Sequence, residues 1–172
     1  MKCLCPSECS AWLNQRGIPE APYESAGKSP GHYLQFATPR TPSQISALTR
    51  TLFEQIGAFP GALIVFTDWP AYYPDEMAIT NLLRRAHGET RPLIDAPGHE
   101  FTELEGPEAI GHCSLAMGFQ WSAYLYFASG TISVLFWEGD LVDVWGPDRK
   151  LLLDVRSFVR EFKLQITSDS TD

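Results

Sequence analysis

Three short apolar runs, at 121–128, 131–137 and 141–145, are joined by glycine-containing links of two and three residues. Nothing else restricts the possible folds of this chain so tightly. Ser129-Gly130 and Glu138-Gly139-Asp140 are hairpin lengths, so the runs are predicted to turn back on one another as an antiparallel meander. Turn length also sets the register. A two-residue turn places Ala128 opposite Thr131, and a three-residue turn places Trp137 opposite Leu141. One face then collects Ala123, Leu125, Phe127, Ile132, Val134, Phe136, Val142 and Val144, and being wholly apolar it is the expected core. The other face collects Tyr124, Tyr126, Ser133, Leu135, Trp137, Leu141, Asp143 and Trp145.

Helical signals come earlier and later in the chain. Ser7 with Cys9, Trp12 and Leu13, followed by Gly17, reads as a short N-terminal helix, and 18–31 as a Pro/Gly/Ser-rich loop that wraps the domain. His32 to Ala37 fits a first strand. Thr41-Pro42-Ser43-Gln44 is a capping box, followed by Ile45, Leu48, Leu52 and Ile56 at helical spacing, with Gly57 as the stop. Ala62 to Thr67 (ALIVFT) reads as a buried central strand. A helix from Pro74 to His87 is expected to turn Met77, Leu82, Leu83 and Ala86 inward, and 88–107 to be loop. Further helices are expected over 107–117 and 155–162, and a frayed tail over 167–172. The expectation is a single α+β domain over 1–172, an antiparallel sheet including the C-terminal three-stranded meander, with about three to five helices packed on it.

Charge is distributed unevenly. Residues 1–91 hold eight acids and eight bases, and 149–172 hold four and five. Between Pro92 and Asp148 there is no Lys or Arg but nine acids, so this stretch accounts for the net charge of −8. Such a balance argues against nucleic acid or an anionic membrane as partner. Two readings fit it: solvated acidic loops, or a negative face that steers a cationic partner. The N-terminus has no apolar core of a secretory signal, and runs such as 61–67 are far too short for a membrane span. With Cys3, Cys5 and Cys9 crowded together and Cys113 alone, a cytoplasmic protein with reduced thiols is expected.

Chemical signatures are sparse. Only Cys5 and Cys9 have metal-pair spacing, no second such pair follows, and a Cys beside Trp12 and Leu13 is more simply a buried apolar residue. Neither metal nor cofactor is expected. There is no G-x-S-x-G elbow and no phosphate-cradling glycine motif. His99, Glu100, Glu103 and His112 supply the residue types of a small hydrolase, with or without an assisting metal, around 99–112. The competing expectation is partner binding. Tyr124, Tyr126, Trp137, Asp143 and Trp145 on the meander, Glu138, Asp140 and Asp148 at its rim, and the Asp68-Trp69-Pro70-Ala71-Tyr72 loop combine aromatic rings with carboxylates, as interfaces do. The same outer meander face, if covered by a helix or by the N-terminal loop, would instead be a second core layer.

The pattern APGHEF…W…YLYF…VLFWEGDLVDVWGPD, within 60–162, resembles the small acidic immunity proteins that protect bacteria from polymorphic toxins. The resemblance covers about half the chain at the level of pattern. It implies a cytoplasmic non-enzyme that binds a cognate toxin domain and occludes its active site; the charge distribution makes that partner basic, and both a monomer and a homodimer that buries the aromatic face are open.

Overall fold

A computed structural model describes residues 1–22, 31–55, 58–70 and 74–170. Among the described residues the elements are β1 (Lys2–Leu4), α1 (Pro6–Gln15), β2 (His32–Ala37), α2 (Pro42–Gln55), β3 (Ala62–Asp68), α3 (Pro74–Ala86) and β4 (Gly98–Phe101). There follow α4 (Gly106–Gly118), β5 (Ser122–Phe127), β6 (Ser133–Trp137), β7 (Leu141–Gly146), α5 (Arg149–Glu161) and β8 (Ile166–Asp169). The strands form one sheet in the order β1-β4-β3-β5-β6-β7-β2-β8, and each pair is antiparallel. The chain is an α+β protein.

The meander adopts the predicted register: Tyr126 faces Ser133 and Trp137 faces Leu141. Its apolar face is the main core, where Leu125, Phe127, Val134, Phe136, Val142 and Val144 are sealed by Leu48 and Leu52 of α2, Ala109 and Cys113 of α4, and Leu152 and Val155 of α5. Helix α2 starts as its capping box requires. Thr41 Oγ1 accepts from the Gln44 N–H at 3.3 Å, and Pro42 occupies the first turn, where a missing N–H costs nothing. Ile56 and Gly57, the expected end of that helix, lie outside the described residues.

Among the described residues, α1 covers part of the second face of the sheet. Helix α1 lays Cys9, Trp12 and Leu13 over Leu4, Leu63, Tyr124, Tyr126 and Leu135, with Trp137 and Trp145 at the margin of the cluster. Gly98 makes this approach possible, since a Cβ there would stand 2.2 Å from Cys9 Sγ and 3.1 Å from Leu4 Cβ.

Three expectations need correction. The stretch 88–107 is not all loop, because β4 lies in it, paired with β3 and β1. The tail from Thr167 contributes to β8, which pairs with β2; its polar side chains gave no alternation to read. Helix α3 turns Glu76, Thr80 and Arg84 inward while Leu82 is 69% and Ile79 41% exposed. Long-range partners outweighed apolar periodicity at each of these places. The buried Arg84 guanidinium donates to the carbonyls of Ala96 (3.1 Å) and Pro92 (3.4 Å), holding the loop that leads into β4.

Candidate functional site

Strand register decides which of the expected binding residues meet. Asp68, at the end of β3, is the cross-strand partner of Ser122, whose Oγ accepts from the Glu138 N–H at 3.3 Å. The turn from β6 to β7 follows directly. Asp140 N–H donates to Trp137 O at 2.8 Å, with Glu138 at φ 46° and Gly139 at φ 70°, so both central residues of the turn are left-handed. Asp140 O in turn accepts from Thr38 N–H at the end of β2. Asp68, Trp69, Trp137, Glu138 and Asp140 therefore share one end of the sheet. Trp69 and Trp137 are each partly exposed, and Asp68 is exposed. Arg40 lies 3.6 Å from Asp140 with both side chains more than 70% exposed, a pair worth little in water.

Other expected binding residues are elsewhere. Tyr124 and Tyr126 are 6% and 2% exposed, stacked on one another beneath α1, so they are core residues. The Tyr126 hydroxyl accepts from the Ala21 N–H at 3.1 Å, and burial pushes its pKa up. Asp143, fully buried, lies mid-strand on β7. Its Oδ1 accepts from the Tyr33 hydroxyl (2.5 Å) and from Gln35 Nε2 (2.7 Å), while Oδ2 has no hydrogen-bond partner among the described residues. Burial raises the pKa of this carboxyl against the lowering effect of both donors. Trp145, partly exposed, packs on Tyr33 with ring centroids 5.4 Å apart. Asp148 caps α5 by accepting from the Lys150 N–H at 2.8 Å, at the far end of β7 from Asp140. Tyr72 lies outside the described residues. Tyr33 and Gln35, which complete the Asp143 network, had no signal in the sequence beyond their place in an apolar/polar alternation.

The acids of the base-free stretch do not form one patch. Glu100 accepts from Trp12 Nε1 at 2.9 Å, on the α1 side of β4. Glu105 and Glu108 sit at the start of α4, and Glu138 and Asp140 at the opposite end of the sheet. Only the last two join Asp68.

The residues expected for hydrolysis do not converge either. His99 and Glu100 are neighbours on a strand and point to opposite faces: His99 stacks edge-on to Phe66 at 5.2 Å, Glu100 meets Trp12. Glu103 is exposed. His99 and His112 do meet, 5.5 Å between centroids, but both are buried, and each Nδ1 is bound to a backbone carbonyl, of Pro97 and Glu108. Burial lowers the His99 pKa to about 3. The Cys113 thiol is wholly buried and burial pushes its pKa up, the reverse of what a nucleophile needs. Cys3 pairs with His99 in register and lies on that face, whereas Cys9 packs against Gly98 under α1, so Cys3 and Cys9 do not share a site.

No helix among the described residues is long and apolar enough to cross a membrane. Comparisons with protein-family models, curated proteins and solved structures return no match for this chain.

Proposed function

We propose that this chain is a non-enzymatic binding module of the immunity type, a cytoplasmic inhibitor that docks on a basic, toxin-like protein domain. One observation carries the reading: Asp68, Glu138 and Asp140, from segments seventy positions apart, lie at the same end of the sheet, where Trp69 packs toward one face and Trp137 toward the other. Partly exposed indoles can bury further area on docking at low entropic cost, and a carboxylate rim steers cations toward them. The turn that presents two of the acids holds a glutamate in the left-handed region, a conformation costly enough that the shape of its tip matters. Arg40 is a weak intramolecular competitor for Asp140, easily exchanged for a partner's cation.

The test is association kinetics with the protein encoded beside this chain, measured at low and high salt. Association should slow as salt rises, and in the triple variant D68N/E138Q/D140N it should be slow at every ionic strength. W137A should chiefly speed dissociation. An association rate indifferent to both salt and the triple substitution would end the proposal.

A further inference from the structure

Away from that surface, the C-terminal end of α3 meets the start of α4. His87 follows α3 where the helix is stopped by Gly88 at φ 79°, with Glu89 N–H returning to Arg84 O. Glu105 is the N-cap of α4 and Glu108 lies in its first turn. One donor atom from each of His87, Glu105 and Glu108 lies within 4.8 Å of the other two. Glutamates at a helix start are favoured by its dipole alone, so their presence there needs no ligand. Three further observations go beyond that explanation.

First, the donors are held in place. Glu105 Oε2 accepts from the Thr102 N–H (2.7 Å) and hydroxyl (3.0 Å), which leaves Oε1 turned to the cluster. Such outer contacts orient metal ligands. Second, His87 Nε2 and Glu108 Oε1 are 2.5 Å apart, so the imidazole and this carboxylate already face one another. Third, His112 lies one helical turn beyond Glu108 and is 2% exposed; its Nδ1 is bound to Glu108 O, and its Nε2 has no hydrogen-bond partner among the described residues. The three donor side chains keep 26–30% of their surface, so an ion reaches them from solvent.

We infer that His87, Glu105 and Glu108 form a binding site for a borderline divalent cation of the zinc type. One imidazole nitrogen and two carboxylate oxygens suit such an ion, and the two carboxylates balance its charge. The ion would bridge the His87 imidazole and the two carboxylates. The amine of Met1, which contacts Glu105 Oε1, competes with it for that carboxylate.

Calorimetric titration of the untagged chain with Zn2+, beside thermal melts with and without the ion, decides between ion and amine. One saturable Zn2+ per chain and a raised melting temperature are expected. H87Q and E108Q should each weaken binding by roughly tenfold or more and abolish the thermal shift. H32Q, at the start of β2, should change neither. In the unsubstituted chain, Zn2+ should perturb the His87 ring resonances selectively, a readout that does not depend on any variant folding. Binding untouched by H87Q and E108Q would overturn the site. So would the absence of saturable binding, with both variants losing the same stability whether or not Zn2+ is present, which would mark an ion-pair network only.

Discussion

Gln35 and Asp143 face each other directly across the β2–β7 pairing, and the Gln35 amide donates to Asp143 Oδ1 at 2.7 Å. Tyr33 donates to the same oxygen, so one half of a buried carboxylate is doubly satisfied and the other half, Oδ2, has no partner among the described residues. A buried charge compensated on one side only is a local cost.

That cost has a pH signature. Because burial raises the folded-state pKa of Asp143 above its ordinary value of 3.8, the folded chain holds a proton there that the unfolded chain has released. Its contribution to stability therefore declines as pH rises from the unfolded pKa through the folded one, and the penalty persists above that. Asp143→Asn keeps an acceptor for Tyr33 and Gln35 without the charge. Urea denaturation should show it within about 1 kcal/mol of the parent at neutral pH and less dependent on pH between acid and neutral. A loss of several kcal/mol at both would mean that the ionised carboxylate is required.

His99 acts in the opposite sense. Its folded pKa is lowered to about 3 by burial, with help from His112 and Arg84, against an unfolded value of 6.5. Between those values the unfolded chain binds a proton that the folded chain refuses, so stability falls as the solution is acidified. The contribution at pH 5 is about 2 kcal/mol relative to neutral pH. His99→Phe, which keeps a ring against Phe66, should flatten this part of the pH profile whatever its effect at pH 7. An unchanged acid slope would refute the assignment.

Gly98 and Cys9 should be coupled. A methyl at 98 collides with Cys9 Sγ, so Gly98→Ala should cost about 1–3 kcal/mol by overpacking. Removing the sulfur in Cys9→Ala leaves space for it, and the double variant should be more stable than additivity allows. A thermodynamic cycle with no coupling energy would show that α1 shifts freely over the sheet.

Arg84 should matter far more than its neighbour. Arg84→Ala frees the buried Ala96 carbonyl and removes one contact to Pro92 O, whereas Arg85 is exposed. The first should cost on the order of 3 kcal/mol and the second under about 0.5. Hydrogen exchange reads the same contact locally: the Phe66 N–H, bound to Pro97 O, should exchange faster in Arg84→Ala only.

Legibility in the sequence followed the range of the rule involved. Turn length and two-residue alternation are local, and they were enough for the β5–β6–β7 register and for which of its faces is core. Capping chemistry at Thr41 to Gln44 was likewise enough to start α2. The short strands β1, β4 and β8 carry too few apolar residues for any period to register; β4 and β8 pair with the edges that β3 and β2 offer, and β1 in turn with β4. Periodicity misled at α3, where the buried side is Glu76, Thr80 and Arg84 because a carbonyl-lined loop awaits the guanidinium.

By itself, then, the sequence determined the α+β class, the meander and the polarity of its faces, since these depend on residues within hairpin or helical reach. Only the tertiary structure decided that α1 buries Tyr124 and Tyr126 while leaving Trp137 and Trp145 at its margin. It alone divided nine acids of one continuous stretch among separate places, bringing Asp68 to Glu138 and His87 to Glu108. Contacts between distant segments arise from packing and strand order, and a net charge summed along a chain contains no information about the direction in which each carboxylate comes to point.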